Sequence, residues 1–363
     1  MLEQHGQDVD RTLVERRTYA VGEDAVTYLE ERAAHQLDSY MNRSVKEPGA
    51  ERVEIQVDSG GVRVGKLERP PLSEATEFTP VRGLPKGRRP SARREVRAIV
   101  AKQPGVVEGK VIDLHVAPLN HTEITGEKMF VAALEAGLGT GTHVHGTFDM
   151  AAWQALQFQE QFDMQPRSTI CCDFYHAMEY VAGAAPGLVP ESERAQWRKI
   201  KARQLMAGER ATILDDLKKH SCAGGRCPAT DGGECAVKAA IRYVSRNGQY
   251  MDYPTFVSEG LPIGSGEIEG LIRHAVRRRL DIPGDWREAN LRLMTALLTV
   301  RHSGWWGDFW LWRDKRDRQK MRQRLAGLAP SRFRGPPRPK AKTNGHETLD
   351  LEGLSPRFEA ALG

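Results

Sequence analysis

Three carboxylates stand where this chain could do chemistry: Asp58 in "VEIQVDSGG", Asp149 in "THVHGTFDM" and Glu269 in "PIGSGEIEG". The first two close apolar, strand-like stretches, and the third opens a helix. Acidic groups brought to one place repel one another and take up protons, unless divalent cations lie between them. Magnesium suits such a site, being a hard ion that prefers oxygen ligands and keeps part of its water. Two such ions roughly 3.5 to 4 Å apart can activate an attacking oxygen and steady the departing one in a phosphodiester displacement. Taken singly, each residue also has an ordinary reading. Asp58 suits a hairpin turn, Asp149 a helix N-cap, and Glu269 a helix start favoured by the dipole.

The surroundings favour a polyanion as partner. The 363 residues carry a formal charge of only +5, but the basic residues are clustered in "PKGRRPSARREVR", "RHAVRRRL" and "RDKRDRQKMRQRLAGLAPSRFRGPPRPKAK". Three separate runs suggest nucleic acid, with Arg273, Arg277, Arg278 and Arg279 as the backbone-gripping group beside Glu269. With 40% hydrophobic residues the chain can bury a real core. No apolar run approaches the roughly 20 residues that span a bilayer, and the polar start lacks a signal-peptide core, so a soluble, cytoplasmic protein is expected. Five cysteines in this length do not make a disulfide framework. Cys171 and Cys172 sit in an apolar run and read as core. His220, Cys222, Cys227 and Cys235 fall in a glycine-rich loop that could wrap a structural zinc ion, although their spacing lacks a CxxC knuckle.

The elements that must position these residues follow from periodicity. The first fifty residues read as charged, amphipathic helix ending at "KEPGAE". "RVEIQVDSGGVRVGKLER" alternates on both sides of a glycine turn, a hairpin signal that puts Asp58 at the end of its first strand. Further strands are expected at "REVRAIVAK" and "KVIDLHVAPL", then a helix at "GEKMFVAALEAGLG", a short strand delivering Asp149, the helix "MAAWQALQFQEQF" and the strand "STICCD". The order is three strands, a helix, a strand, a helix and a strand. In an open mixed sheet the first and fourth strands can be neighbours, which would bring Asp58 and Asp149 together. The stretch from "FYHAMEYVAGAA" to "GECAVKAAIRYVSRN" is helical with the cysteine loop inside it, and "EANLRLMTALLTVRHS" has a strong apolar face. Trp305, Trp306, Trp310 and Trp312 read as a core clamp. His143 and His145 read as structural, and Trp153 as core packing or a base-stacking surface.

These motifs carry a resemblance. "PIGSGEIEG" preceded by "YVSRNGQYMDYPTFVSEGL", "DMAAW" followed by "CCDFYHAMEYV", and the downstream "RRRLDIPGDW" and "SGWWGDFW" resemble, in order, the signature series of the ISKra family of bacterial insertion-sequence transposases, of the DDE class. The likeness runs from about Val53 to Trp312. It implies an α/β, RNase H-like mixed sheet flanked by helices, with a helical insertion before the last catalytic helix. It maps the catalytic and metal-binding triad onto Asp58, Asp149 and Glu269, with Glu267 as the second choice for the glutamate. Mg2+ or Mn2+, DNA (element ends and target) and a homo-oligomeric active complex are implied with it. "DFYH" resembles an Asp-x-x-His element of related transposases and makes Asp173 and His176 candidate accessory residues, with a helix N-cap and a satisfied histidine as the alternative. The sequence departs from the family pattern in three places. Ser59 and Met150 replace the usual glycine after each aspartate, "GLIRH" replaces a Cys-Lys pair, and the cysteine loop has no counterpart.

The organisation expected is a helical remnant of a leading region over 1–50, the first part of the catalytic core over 51–178, a helical insertion over 179–258, the rest of the core over 259–312, and a flexible basic tail over 313–363. Two other functions share these features: a structure-selective nuclease that cuts without joining, and a decayed transposase that only binds DNA.

Overall fold

A computed structural model describes residues 10–42, 48–65, 91–106, 109–117, 121–219 and 233–327. Its centre is one five-stranded mixed sheet in the order β3-β2-β1-β4-β5. The strands are β1 (Arg52–Gly65), β2 (Ser91–Lys102), β3 (Val111–Ala117), β4 (His143–Phe148) and β5 (Arg167–Cys172), with α2 (Glu123–Glu135) and α3 (Ala152–Phe162) interleaved as expected. β1, β2 and β3 pair antiparallel, whereas β1, β4 and β5 run parallel. Helices cover both faces, which is why the strands read as nearly continuous apolar runs. Val53, Ile55 and Val57 of β1 point into the larger core, shared with α2, α3 and α4 (Phe174–Leu188). Val62 and Val64, on the opposite face, join a second core with Ile268, Leu271, Ile272 and Val276.

The expected hairpin does not form. β1 continues through Ser59, Gly60 and Gly61 as one 14-residue strand, paired with β2 from Glu54↔Lys102 to Gly65↔Ser91. The glycines serve packing here, because a Cβ on Gly60 would lie 2.8 Å from Val276 Cγ1. Asp58 is therefore held mid-strand with fixed direction, not at a turn. The far end of β1 gains a second partner from the "DIPGDW" stretch, where Gly65 N–H donates to Trp286 O (2.9 Å) and Trp286 N–H to Arg63 O (3.1 Å).

Among the described residues, α5 (Glu191–Met206), α6 (Arg210–Lys218), α7 (Ala236–Asn247) and α8 (Tyr253–Ser258) lie between α4 and the Glu269 segment, with a 3-10 turn at Gly248–Tyr250. They share the larger core through Leu205, Ile213, Leu217, Val237, Val244 and Tyr253, so the insertion is built onto the sheet. His220, Cys222 and Cys227 of the suggested zinc loop lie outside the described residues, while Cys235 is the N-cap of α7. α9 (Gly266–Leu271) runs into a π-helix (Ile272–Arg277), followed by α10 (Glu288–His302) and α11 (Trp306–Gly327).

α10 closes the β3 edge. Thr299 Oγ1 accepts from Leu114 N–H (2.8 Å) and Ser303 Oγ accepts from Ile112 N–H (2.9 Å), so side-chain hydroxyls satisfy an edge that could otherwise pair with another chain. The leading segment is a single helix, α1 (Arg11–Met41), seated on α10 where Gly22 meets Leu293. Phe309 is fully buried against Tyr28 and Trp312, with Trp305 packed beside them, so the aromatic clamp holds for Trp305 and Trp312, whereas Trp306 and Trp310 lie on the exposed side. These elements form one unit, Met1–Arg313; a second begins at Asp314, and its described part is the end of α11. Among the described residues no helix is long and apolar enough to cross a membrane.

Candidate functional site

Strand register brings the two aspartates together. The parallel pairs Glu54↔His145 and Gln56↔Thr147, continued by two residues, set Asp58 opposite Asp149 on neighbouring strands, which lie about 4.8 Å apart. Both are half-buried, on the sheet face that carries α9. Glu269, on the exposed side of α9, completes the group. Burial raises the Asp58 carboxyl above its ordinary range, and the charges of Asp149 and Glu269 push it the same way. The Ser59 N–H, 2.6 Å from Oδ1, and the Arg277 guanidinium oppose the rise. Asp149 and Glu269 thus both act on Asp58, although among the described residues no three His, Cys, Asp or Glu side chains stand close enough to enclose a metal ion.

The turn after β4 is built for Asp149. Met150 has φ 65°, the left-handed region that favours glycine, and it is the only non-glycine residue with positive φ among those described. The resembled family has glycine at this position, and the backbone shows why glycine would suit it. Ala151 is the N-cap of α3, so Asp149 is not; its Oδ1 is 3.4 Å from Ala151 N. Gln154, buried in the first turn of α3, accepts from Ala151 N–H (2.9 Å) and donates to Val57 O (3.0 Å). One amide side chain thus ties the residue before Asp58 to the turn that carries Asp149. Tyr243 of α7 adds a bond from its hydroxyl to Asp149 O (3.0 Å).

A clamp of buried polar groups holds the "PIGSG" turn that aims Glu269. Gln56, two residues before Asp58 on the same strand face, accepts from Ile268 N–H (3.0 Å) and donates to Gly264 O (3.3 Å). His145 Nε2 and Thr147 Oγ1 both donate to Pro262 O, at 2.9 and 3.2 Å. Thr169 Oγ1 lies 2.7 Å from His145 Nδ1, and burial lowers the His145 pKa to about 4. Asp173 is fully buried; it accepts from His176 N–H (2.8 Å) as the N-cap of α4, and from Ser265 N–H (2.5 Å) and Ser265 Oγ. The N-cap reading of Asp173 therefore holds, and the same carboxylate fastens the start of α9. His176 places Nδ1 3.2 Å from Glu179 and packs its ring against Tyr180 and Tyr243.

Glu267 and Glu269 part company. Glu267 pairs with Lys102 (2.7 Å) and Lys110 (3.7 Å), whereas the charge of Glu269 acts on Asp58. The structure thus brings Glu269, the first choice, to the aspartates. Beyond it the π-helix buries Ile272, Ala275 and Val276 and leaves Arg273 and Arg277 exposed, as are Arg278 and Arg279 in the turn that follows. π-turns inside helices recur at functional sites. Trp153 lies beneath Arg97, whose guanidinium sits 4.5 Å from its ring centroid, so its role here is packing.

Gln56, Gln154 and Ser265 were not singled out from sequence. A signal existed for Gln56, a polar residue inside the apolar run "VEIQV"; the other two give none without the fold. A cavity of about 670 Å3 lies between α1, β3, α2 and α10 and touches none of the three acids. No protein-family profile matches the chain, and no curated protein sequence matches it.

Proposed function

We propose that this chain is a DDE-class DNA transposase with an RNase H-like catalytic core, which cuts at the ends of a mobile element and joins them to target DNA. The observation that carries this reading is the approach of Asp149, just after β4, and Glu269 of α9 to Asp58 of β1, whose proton affinity is raised by burial and then by those two charges. The strand order β3-β2-β1-β4-β5, with three antiparallel strands leading two parallel ones, is the arrangement expected of such a core.

An all-oxygen set of mutually repelling carboxylates suits Mg2+ or Mn2+. Asp58 and Asp149 would hold the ions and Glu269 would complete one of them; when bound, such ions supply Lewis-acid stabilisation for an in-line phosphodiester displacement. The chain's own groups do the rest. Arg277, near enough to act on Asp58, offers a cation to a phosphate entering beside the acids, and Arg273 and Arg278 extend that surface. Gln56, Gln154 and Asp173 hold the three acid-bearing segments in fixed relation, because small misplacements of reacting groups are costly. Backbone-contacting arginines give affinity without sequence choice, so recognition of particular ends lies with other groups. Joining two ends calls for an assembly of at least two chains.

The test uses labelled duplex DNA from the flanks of the chain's own gene, incubated with the protein or with an Asp149→Asn variant in Mg2+ or Mn2+. Joined product that disappears in the variant supports transposition at this site. Nicking without joining would replace this reading with a nuclease, and binding without any product would leave a DNA-binding remnant.

A further inference from the structure

The basic residues of the π-helix segment divide between two flanks. Arg277 acts on Asp58, whereas Arg279 and His274 act on His302, at the end of α10. Arg301 and Lys110 converge on the same histidine from the last turn of α10 and from the start of β3. The meeting of those two elements is fixed by Ser303, next to His302, whose Oγ accepts from Ile112 N–H and donates to Ile112 O, each at 2.9 Å. Lys110, two residues before Ile112, therefore lies at the foot of α10. His274, Arg279 and Arg301 are exposed, and Lys110 is partly so.

The cations are poorly compensated. Glu267 lies 3.7 Å from Lys110, but it is 2.7 Å from Lys102, its closer partner. No carboxylate pairs with Arg279 or Arg301 among the described residues. His302 Nε2 is buried and has no hydrogen-bond partner. Burial and then the charges of Arg279, Arg301, Lys110 and His274 hold its pKa below the ordinary histidine value. A fold gains nothing by gathering like charges around an unpartnered nitrogen, unless an anion is to bind there.

We infer that Lys110, His274, Arg279, Arg301 and His302 form a phosphate-binding recess that takes the DNA backbone on the flank of the π-helix away from Asp58. The inference rests on the reading of the chain as a DNA enzyme. It gives that reading a path for the duplex, from the carboxylates past Arg277 and over the π-helix to the foot of α10. A phosphodiester oxygen there would meet the cations of Lys110, Arg279 and Arg301 and would accept a hydrogen bond from the His302 ring N–H.

The test is a salt titration of binding to a labelled duplex of mixed sequence, in EDTA so that no cleavage intervenes. The full chain is compared with a Lys110→Ala/Arg301→Ala double variant and with an Arg198→Ala/Lys199→Ala control, which removes equal charge from the exposed face of α5. Each lost phosphate contact lowers the slope of log K against log salt by about 0.9, so the double variant should show a slope shallower by roughly 1.8. The control should keep the original slope. A retained slope in the double variant, or an equal loss in the control, would overturn the recess and leave the DNA reading standing. Failure of the unaltered chain to bind DNA would overturn both. Because the double substitution relieves like-charge repulsion and spares the Lys102–Glu267 pair, a melting temperature at or above that of the parent checks that the fold is retained.

Discussion

Replacing Gln56 by leucine should separate the role of the clamp from that of the carboxylates it supports. Gln56 is 4% exposed and makes two hydrogen bonds, to Ile268 N–H at 3.0 Å and to Gly264 O at 3.3 Å. The first satisfies a donor in the opening turn of α9, which has no partner within the helix. Leucine fills a similar volume but leaves both backbone groups buried and unpaired. Each such orphan costs about 1 to 3 kcal/mol, and the longer bond belongs at the low end. A loss of roughly 2 to 4 kcal/mol corresponds to a fall of about 3 to 6 °C in Tm for a unit of this size. Gln56→Glu keeps an acceptor for Ile268 N–H at a helix start but sets a carboxylate against Gly264 O and near Asp58, so it should lose Mg2+-dependent turnover more than stability. The assays are thermal unfolding in EDTA and nicking of duplex DNA in Mn2+. If Gln56→Leu melts like the parent and cuts at the parental rate, the turn is held by other contacts and the positioning argument is wrong.

Two further outcomes follow from the ionisable groups. Because the folded-state pKa of Asp58 is raised, its contribution to stability is present below the ordinary carboxylate range and is lost as pH rises through the raised value. Asp58→Asn should therefore melt higher than the parent in EDTA at neutral pH, by a margin that shrinks on acidification, and Mg2+ should stabilise the parent alone; a variant that melts lower at every pH would refute the repulsion. His145 works in the opposite sense. With a folded-state pKa of about 4, it favours the fold above its ordinary value near 6.5 and loses up to about 3 kcal/mol as pH falls between the two. In urea unfolding the gap between the parent and His145→Ala should accordingly narrow from pH 7 to pH 4, and a constant gap would rule out a buried neutral imidazole.

Much of the architecture was legible because it rests on local pattern. The order of strands and helices from Arg52 to Cys172 follows from alternation and helical periodicity, the burial of Cys171 and Cys172 from their apolar run, and the clamp around Phe309 from its aromatic neighbours. The types and order of Asp58, Asp149 and Glu269 also belong to the sequence, since a carboxylate at a strand end or helix start is visible without a fold. The glycine pair after Asp58 misled, because glycine marks either a turn or a close approach. Only the packing of Val276 over Gly60 decides between them.

Tertiary structure decided what depends on register and on facing direction. Pairing of β1 with β4 sets Asp58 opposite Asp149; a slip of one residue would turn one of them to the other face. Glu267 and Glu269 stand two positions apart on one short helix, yet Lys102 and Lys110 hold Glu267 while the charge of Glu269 acts on Asp58. Gln56, Gln154, Asp173 and Ser265 join segments up to 212 residues apart, as in the Gln56–Ile268 bond, and no local spacing encodes such partners. The sequence alone supplied the acidic groups and the elements that carry them; their approach to one another came from long-range hydrogen bonds and strand register, which exist only once the chain has closed on itself.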